Sequence, residues 1–430
     1  MRILVVGGGG REHALCWALR RDLPEATLFA APGNPGTARL GTNLKIAATA
    51  LDELAAAAAA HDIDLTVVGP EAPLAAGLAD RLQAAGRAVF GPTQAAARLE
   101  SSKVFAKDVM RAAGVPTAAA GAFRALDPAL AYIRAHAEPL VVKASGLAAG
   151  KGVAVCETRD EAARAARAML AHDAFGEAGR EIVVEDFLEG EELSVLALTD
   201  GERILILPPA QDHKRLGDGD TGPNTGGMGA FCPVSVATDE LIERVRREVL
   251  APIVRELASR GTPYQGVLYA GLMLGADGTP SVLEFNCRFG DPEAQAILPV
   301  LPRGATRHLA EIAAGRWRPD EAVVQPAGAA VATVLAAPGY PEKPEVGAAI
   351  VLPRGDEPDT LVFHAGTYRD PDGTLRVHGG RVLTVSGLGR SVPEAAQRSA
   401  ALCERIAFQG KTWRRDIGWR EIKRAGAARG

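Results

Sequence analysis

The stretch PLVVKASGLAAGKGVAV, at positions 139–155, combines lysine and glycine in a way that could serve phosphate chemistry. An apolar run delivers Lys143 to a loop that contains Gly146, Gly150, Lys151 and Gly152, and a second apolar run follows. We predict a hairpin with a flexible glycine flap at its tip. A P-loop would need a wider glycine spacing, a Ser or Thr after its lysine, and then a helix. A mobile surface hairpin without function would show the same local pattern.

Polar residues alternate in SVLEFNCRFGDPE, at positions 281–293. On a strand, Glu284 and Asn286 point to one face, and Leu283 and Phe285 point to the other. Two oxygen ligands on one face meet the modest demand of Mg²⁺ that is shared with nucleotide phosphates. Arg288 follows one alternation later and would place a cation beside the metal. The alternative is a half-exposed strand whose polar residues face water.

The stretch QDHKRLGDGDTGPNTGGMGAF, at positions 211–231, is long, polar and rich in glycine. Its charged residues of mixed sign are Asp212, His213, Lys214 and Arg215. Structureless loops of this length are uncommon in compact domains and are usually functional or disordered. The flanking residues argue against disorder, so we predict a substrate loop.

The elements that must position these residues begin with a regular alternation over the first 100 residues. Strands are predicted at 2–7, 27–31, 65–69 and 88–91, and helices at 11–21, 51–61 and 73–85. This alternation indicates a doubly wound parallel sheet. The loops at 32–36 and 69–73 leave the carboxyl ends of neighbouring strands, where an open sheet places its ligand. Ordinary turns would look the same.

The opening GGGGREHA invites comparison with dinucleotide-binding proteins, but the match fails. The third glycine of that fingerprint would fall at Glu12, and the second strand ends without an acidic residue for a ribose. A glycine-rich turn at a helix N-terminus can still bind an anion through its free N–H groups. We therefore expect a sugar phosphate here, with Arg11 as a possible charge partner.

A predicted helix at 101–113 carries Lys103 and Lys107 on one face. That face is either solvated or directed at an ATP phosphate. Residues 121–190 are predicted to form a small α+β unit with the flap, a helix at 159–172 and a strand at 181–185. The sequence EDFLEGEE at 185–192 could hold an adenine and its ribose, or could be a surface turn.

From about position 325 the pattern restarts as a separate α+β piece. Strands are predicted at 329–335, 361–367 and 381–386, a turn at 370–373, and a helix at 393–408. It shows no catalytic constellation, and we expect it to cover the cleft.

Composition limits the classes of function. The chain has 430 residues, a net charge of −4 and a hydrophobic content of 47%. This length predicts about three domains, and the small negative charge argues against nucleic acid or an anionic membrane as a partner. No apolar run approaches the roughly 20 residues of a transmembrane helix, and the N-terminus does not resemble a signal peptide. Five scattered cysteines predict reduced thiols without a zinc site, so we expect a cytoplasmic protein.

Together these motifs resemble the ATP-grasp superfamily and, more closely, its glycinamide ribonucleotide synthetase family. The resemblance covers essentially the whole chain, and two of its motifs, the long glycine loop and EFNCRFGDPE, are specific to that family. The motifs are GGREHAL at 9–15, APGNPGT at 31–37, VGPEAPL at 68–74, KASGLAAGKGV at 143–153, QDHKRLGDGDTGPNTGGMGA at 211–230, EFNCRFGDPE at 284–293, HAGT at 364–367 and RRDIGW at 414–419.

The resemblance implies a multidomain α/β and α+β fold. The expected division is an N-terminal doubly wound sheet at 1–100, an ATP-grasp domain at 101–323 with a flap subdomain at 121–190, and a C-terminal α+β domain at 324–430. The implied reaction joins glycine to 5-phosphoribosylamine at the expense of ATP, through a glycyl phosphate, in purine biosynthesis. It implies Mg²⁺, with Mn²⁺ as an alternative metal, and we expect a monomer.

The resemblance also implies roles for individual residues. ATP would be bound by Lys103, Lys143, Gly146, Gly150, Lys151, Gly152, Glu185, Leu188 and Glu192, with Glu185 and Leu188 at the adenine and Glu192 at the ribose. Phosphoribosylamine would lie against Gly9, Gly10, Arg11, Glu12, Asn34 and Glu71. Glycine would lie near Asp212, Lys214, Asn224, Gly226, Gly227 and Arg288, and Mg²⁺ on Glu284 and Asn286. Catalysis would fall to Arg288, Lys143, Asp212 and Lys214.

Two positions depart from the family pattern. Ser145 stands where the family usually has Asp, which removes any contact made by that carboxylate. Gly8 replaces a more usual Asn or Ser, which should leave the anion site intact.

Three other functions fit parts of the sequence. The first is a different carboxylate–amine ligase of the same superfamily. The second is a nicotinamide-dependent dehydrogenase built on the N-terminal sheet. The third is a nucleotide sensor that binds ATP without turnover.

Overall fold

The N-terminal hundred residues form a parallel sheet of five strands, in the order β3-β2-β1-β4-β5. The computed structural model describes residues 1–148, 152–171, 176–355 and 357–427. The strands are β1 Arg2–Gly7, β2 Thr27–Pro32, β3 Thr42–Asn43, β4 Leu65–Val68 and β5 Val89–Phe90, and the helices are α1 Gly10–Asp22, α2 Leu51–Ala60, α3 Glu71–Ala75 and α4 Leu78–Ala84. The doubly wound sheet is therefore confirmed. The helix predicted at 73–85 is split because Gly77 has a positive φ of 90°.

The helix predicted at 101–113 is α6 (Lys103–Ala113), and it is preceded by a helix that we did not predict, α5 (Gln94–Ser101). They are separated at Ser102, whose extended backbone ends α5 and whose Oγ accepts a hydrogen bond from the N–H of Phe105. This N-cap begins α6 one residue before Lys103. The cap therefore makes Lys103 the first residue of α6.

Two antiparallel sheets build the central region and face each other as the halves of a cleft-forming fold. The flap sheet has the order β6-β9-β7-β8 and the second has the order β11-β10-β16-β17. The strands are β6 Ala120–Phe123, β7 Leu140–Ala144, β8 Val153–Cys156, β9 Ile182–Asp186, β10 Glu191–Thr199 and β11 Ile204–Ile206. Helices α7 Leu126–Ala135 and α8 Arg159–Ala171 pack on the flap sheet.

The stretch at 211–231 is not the irregular loop that we predicted. It contains four short strands, β12 Gln211–Asp212, β13 Arg215–Gly217, β14 Thr221–Asn224 and β15 Gly229–Cys232. Strands β13 and β14 pair as a hairpin, and β12 pairs with β15 at its base. Backbone pairing therefore holds Asp212 and Lys214 at the root of a hairpin.

After this hairpin the chain completes the second sheet and its supporting helices. These elements are α9 Asp239–Val245, a π-helical turn Arg246–Leu250, α10 Ala251–Ser259, β16 Gly266–Leu274, β17 Pro280–Asn286, α11 Glu293–Val300 and α12 Arg307–Ala313. Helix α11 packs against α1 in a shared apolar core that includes Leu15, Leu19 and Ile297. This core joins the N-terminal sheet to the central region.

The C-terminal residues share a sheet with the central region, whereas we predicted a separate α+β piece. The elements are β18 Ala329–Ala336, β19 Thr360–His364, β20 Thr367–Arg369, β21 Leu375–Val377, β22 Arg381–Gly389, α13 Val392–Arg405 and α14 Trp419–Ala427. The antiparallel sheet β12-β15-β18-β22-β19 crosses the expected boundary at 323/324. The division into three domains stays a prediction. Within the described residues, no helix is both long and apolar enough to cross a membrane.

Candidate active site

Lys143 and Glu185 form an ion pair at the centre of the flap sheet. They lie on the neighbouring strands β7 and β9, and Nζ of Lys143 is 2.8 Å from Oε2 of Glu185. Nζ of Lys107 approaches the other carboxylate oxygen at 3.3 Å and donates to Oγ1 of Thr117 at 2.8 Å. Two ammonium groups thus hold the buried side chain of Glu185. Glu185, which we predicted to lie at the adenine, therefore has both carboxylate oxygens in contact with lysines.

Lys143 also reaches across the cleft to β17. Its Nζ donates to the carbonyl oxygen of Leu283 at 3.1 Å. That carbonyl lies at a β-bulge, because Gly271 pairs with Glu284 and the next residue, Leu272, pairs with Val282. Leu283 therefore departs from the simple alternation that we predicted. The bulge turns its carbonyl toward the lysine and joins the two sheets.

Four cations from separate elements lie near enough to Glu284 to affect its ionisation. Burial alone would raise the pKa of this carboxyl, but Lys214, Lys143, Lys103 and Arg288 lower it below its usual range. The pKa of Lys103 is itself lowered, chiefly by burial, against the attraction of Glu284. Lys103 is half-buried and Lys107 is buried, and contact of Lys103 with an ATP phosphate stays a prediction. The lowered pKa favours the ionised form of Glu284.

Arg288 is held by two carboxylates and one amide. Its guanidinium donates to Oδ1 of Asn286 at 3.0 Å, and lies 2.9 Å from Glu100 and 3.3 Å from Glu71. Burial would lower the pKa of Arg288, but Glu100 and Glu71 together raise it. Sequence reasoning missed Glu100, which also accepts the N–H of Cys287 at 2.7 Å. Nothing in the local sequence of α5 indicates that role.

Asp212 and Lys214 lie near several other carboxylates. Nζ of Lys214 is 2.5 Å from Oε2 of Glu192. Burial raises the pKa of Asp212 to about 7, Lys214 opposes this rise, and Glu293 and Glu192 add to it. Although burial lowers the pKa of Lys214, Glu192 and Asp212 raise it well above its ordinary value. Glu293, which sequence reasoning did not assign, accepts the hydroxyl of Tyr269 at 2.5 Å.

The glycine-rich turn after β14 is bonded to residues from the C-terminal region. The N–H of Gly226 donates to the hydroxyl of Tyr340 at 2.9 Å, and its carbonyl accepts from Arg381 at 2.6 Å. Gly227 has a φ of 108° and donates to Oγ1 of Thr225 at 3.0 Å, and Asn224 is exposed. Sequence reasoning missed Tyr340 and Arg381, because both come from residues predicted to form a separate piece.

The glycine turn at the start of α1 binds an anion, but the anion is the protein's own carboxylate. Gly9 donates to Oε2 of Glu12 at 2.6 Å, and Nε of Arg11 donates to Oε1 at 2.6 Å. A side chain at Gly69 would collide with Glu12, and one at Gly10 would collide with Gln295. We predicted a free N–H at this turn, but the N–H of Gly9 is bonded to Glu12. Direct substrate contact by Gly9, Gly10, Arg11 and Glu12 stays a prediction.

Asn34 ties the loop after β2 to its surroundings. Its side-chain amide donates to the carbonyls of Gly8 at 3.0 Å and His364 at 2.8 Å, and its Oδ1 accepts from the N–H of Gly36 at 2.8 Å. Because both ends of this amide are bonded within the protein, Asn34 positions the loop. Glu71 remains half-buried beside Arg288, and Arg288 and Arg11 lower its pKa against the effect of burial.

The flap is the predicted hairpin and not a P-loop. Strands β7 and β8 pair antiparallel, with Lys143 opposite Val153, and the N–H of Ala144 donates to Gly152 at 2.8 Å. Gly146 packs so closely on Ala178 that a side chain would clash. Gly150 and Lys151 lie outside the described residues. Beyond β9, Leu188 lines a hollow of about 610 Å³ together with residues 135–139.

The three parts of this architecture each match a model of one protein family. The models are the N domain of phosphoribosylglycinamide synthetase over residues 1–100, its ATP-grasp (A) domain over 101–294 and its C domain over 330–420. The chain belongs to the phosphoribosylglycinamide synthetase family. The family, the multidomain fold and the ATP-dependent ligase activity predicted from the sequence are thereby confirmed.

Relatives of similar length extend this match along the chain. A phosphoribosylamine–glycine ligase of Yersinia pestis is 48% identical over 436 residues, covering 99% of this chain and all of the relative. One from Vibrio cholerae is 48% identical over 427 residues, covering 99% of each. The crystal structure of the Thermotoga maritima phosphoribosylamine–glycine ligase superposes with a TM-score of 0.83 at 37% identity, over 97% of this chain and 100% of that one.

The fold also occurs outside the phosphoribosylglycinamide synthetase family. The biotin carboxylase domain of the Hydrogenobacter thermophilus 2-oxoglutarate carboxylase, crystallised with MgADP, superposes with a TM-score of 0.73 at 16% identity. The match covers 96% of this chain and 91% of that chain. This likeness shows the fold alone.

The family's metal requirement fits the donors on β17 in part. Glu284 offers a carboxylate, and Asn286 offers an amide oxygen with one lone pair already bonded to Arg288. In the described ranges, no group of three or more histidine, cysteine, aspartate or glutamate side chains is arranged to hold a metal ion. Mg²⁺ readily completes its coordination with water and substrate phosphates, so two protein donors suffice.

Proposed function

We propose that this protein ligates glycine to 5-phosphoribosylamine, forming glycinamide ribonucleotide, ADP and phosphate for purine biosynthesis. The observation that carries the proposal is that Lys143 and Arg288 are both hydrogen-bonded to β17, the strand that carries Glu284, at Leu283 and Asn286. Such a cluster suits a triphosphate and a metal ion together, and the names of the full-length relatives supply the substrates.

The chemistry explains why the cluster is needed. A glycine carboxylate is a poor electrophile, because attack by an amine would have to expel oxide. Transfer of the γ-phosphoryl group of ATP to one carboxylate oxygen gives glycyl phosphate and ADP. The amine of phosphoribosylamine then attacks the carbonyl carbon, the C–O bond to phosphate breaks, and the amide forms. No covalent intermediate with the enzyme is required.

The protein's contribution is positioning and charge neutralisation. Lys143 is fixed by Glu185 and by the carbonyl of Leu283 before any nucleotide binds. Lys103 enters the cleft from the first turn of α6, so the two lysines can hold phosphate oxygens from two sides. Arg288, clamped by Glu100 and Glu71, neutralises charge on the acid being phosphorylated. Glu192, 2.5 Å from Nζ of Lys214, orients that lysine for the same purpose.

Glu284 and Asn286 would hold Mg²⁺, or Mn²⁺ in its place. When bound, the metal neutralises charge on the transferred phosphoryl group and on the leaving ADP. A protein with this fold was crystallised with MgADP, which supports the use of Mg²⁺ with the nucleotide in general.

The remaining ligands are assigned by the elements that surround the cluster. The adenine would lie at Glu185 and Leu188, its ribose at Glu192, and the loop of Gly146, Gly150, Lys151 and Gly152 would cover the phosphates and keep water from glycyl phosphate.

The two acceptor substrates would approach from opposite sides of Arg288. Glycine would lie by the root and the end of the β13–β14 hairpin, at Asp212, Lys214, Asn224, Gly226 and Gly227. Phosphoribosylamine would lie at the carboxyl ends of β1, β2 and β4, against Gly9, Gly10, Arg11, Glu12, Asn34 and Glu71. Open parallel sheets bind ligands at this edge.

We further propose a cytoplasmic monomer that binds neither nucleic acid nor membrane. The net charge of −4 supports the absence of nucleic acid and anionic lipid as partners. Five free, buried cysteines support a reducing compartment.

The deciding experiment is an assay of ADP release in which ATP, glycine and phosphoribosylamine are omitted in turn. The proposal requires release only when all three are present. ATP binding without any release would instead indicate a sensor, and release with other amino acids or amines would indicate a different ligase. Titration with a nicotinamide cofactor tests the dehydrogenase alternative.

A further inference from the structure

The residues 414–420, which we call the C-terminal clamp, grip the β13–β14 hairpin from outside the cleft. The hairpin residues in question are 213–220, about 200 positions earlier in the chain. Arg414 is the centre of this contact, and its side chain is fully buried. A buried arginine is rare unless it is paired, so its partners indicate what it does.

Arg414 is bonded on every side. Its Nε and one terminal nitrogen each lie 2.8 Å from an oxygen of Asp416, as a bidentate pair. The other terminal nitrogen donates to Oδ1 of Asp220 at 2.8 Å and to the carbonyl of Arg215 at 3.2 Å. One guanidinium thus connects the clamp to the first residue of β13 and to the residue that precedes β14.

Three further bonds fix the turn between the two strands. Arg420 donates to Oδ2 of Asp220 at 2.7 Å, the N–H of Gly219 donates to Asp416 at 2.8 Å, and the N–H of Arg415 donates to Asp218 at 2.8 Å. Asp220 has a φ of 56°, in the left-handed region that non-glycine residues seldom adopt. The clamp therefore stabilises a turn whose backbone includes one residue in the left-handed region.

The clamp also reaches the strand that enters the site. The N–H of Gly418 donates to Nε2 of His213 at 3.2 Å. Burial, together with the Arg414 guanidinium, lowers the pKa of His213 to about 4. The imidazole is therefore neutral, with Nε2 as an acceptor. His213 lies between Asp212 and Lys214, the two residues assigned to catalysis.

Hydrogen bonds within the hairpin connect Lys214 to the turn at the predicted glycine site. Both the N–H and the hydroxyl of Thr225 donate to the carbonyl of Lys214 at 2.8 Å, and Thr225 in turn accepts from Gly227. A shift of the hairpin would therefore move Lys214 and the turn at Gly226 together. Of the proposed ATP ligands, Glu192 contacts Lys214 at 2.5 Å, whereas those on α6, β7 and β9 make none of these described contacts.

We propose that Arg414 is a positioning residue for the amino-acid substrate, and acts by holding the β13–β14 hairpin against the cleft. The inference rests on the proposed function, since it concerns the site assigned to glycine. Removing Arg414 leaves the half-buried Asp416 without its bidentate cation and leaves Asp220 with Arg420 alone, so the hairpin is held less tightly. The expected signature is a loss of glycine affinity without a loss of ATP affinity.

The test compares Arg414→Met and Arg414→Lys with the control Arg415→Met, which removes a neighbouring, largely exposed guanidinium. We expect Arg414→Met to raise KM for glycine about tenfold or more, to leave the Kd of ATP within about twofold by calorimetry, and to speed trypsin cleavage after Arg215. Arg414→Lys should recover part of the affinity, because it restores the charge but not the bidentate pair. Arg415→Met should match the parent protein.

Asp220→Asn provides a second route if Arg414→Met does not fold, and should shift the same two measurements in the same direction. An equal rise in KM for glycine and Kd for ATP, or no rise in either, overturns the inference. Absence of glycine-dependent ADP release in the parent protein would defeat the proposed function instead. The cleavage rate after Arg215 still decides on the clamp in that case, since an unchanged rate in both variants overturns it.

Discussion

The ammonium of Lys143 lies 2.8 Å from the carboxylate of Glu185 on the neighbouring strand. The pair is buried, so its geometry is set by the flap sheet before substrate binds. A cation that is already oriented does not have to be reorganised during phosphoryl transfer, and this is the main electrostatic advantage of an enzyme site over water. The same pairing determines how the nearby lysines should respond to mutation.

Glu284→Ala should abolish glycine-dependent ADP release. The variant removes the carboxylate whose pKa four nearby cations lower, and the first of two proposed metal donors. We expect activity to fall about 100-fold or more with the far-ultraviolet circular dichroism unchanged. Glu240→Ala, at an exposed glutamate of α9, serves as the control. Full turnover by Glu284→Ala would refute the metal assignment.

Substitutions of Lys103 and Lys107 should have different effects, although the two lysines lie one helical turn apart. The first should weaken ATP binding and the second should reduce stability. Lys107→Met breaks bonds to Thr117, Ala118 and Glu185, so we expect a loss of about 2 kcal/mol in unfolding free energy. Lys103→Met should leave stability nearly unchanged, since burial already disfavours its charge, but should weaken ATP binding. Urea unfolding and calorimetry measure the two effects, and the reverse pattern would contradict the assignment.

Asp212→Asn should change how stability depends on pH. The folded state raises the pKa of Asp212 to about 7 from 3.8, so the folded protein binds an extra proton between these values. The parent protein therefore loses stability relative to the variant as pH rises from 4 through 7. Urea unfolding of both proteins at pH 5 and pH 8 tests this difference. A difference that is constant with pH would show that Asp212 is not perturbed.

Ser145→Asp should be tolerated better than Ser145→Ala. Oγ of Ser145 accepts the N–H of Val104 in the first turn of α6, at 3.3 Å. Alanine removes this acceptor, and we expect a loss of about 1 kcal/mol in unfolding free energy. Aspartate keeps an acceptor and adds a negative charge at a helix N-terminus, which is favourable. Greater destabilisation by aspartate than by alanine would show that the serine is required for space.

Local patterns in the sequence were sufficient for residues whose role depends on their own strand. The period-two alternation of Glu284 and Asn286 and the glycine spacing after Lys143 both predict structure that was found. The same kind of reasoning failed where a role depends on a distant segment. Glu100 is important because Arg288 lies beside it, and Arg381 because Gly226 does. No local pattern contains these pairings.

The glycine turn at α1 shows a different limit. Spacing predicted a sugar phosphate at the N–H of Gly9, and in the structure that N–H donates to the carboxylate of Glu12. The stretch at 211–231 failed for a third reason. Its strands are short and rich in glycine, so they depend on pairing partners at β15 and β18 rather than on their own propensity.

The sheet that contains β15 has a consequence for how the protein is made. Strand β15 lies between β12 and β18, so its outer backbone groups have no partner until residues 329–336 have been synthesised. Until then a nascent chain presents an open edge that can pair with other polypeptides. The proposed glycine site is therefore completed late in translation, and we expect a chain released before residue 329 to be prone to aggregate.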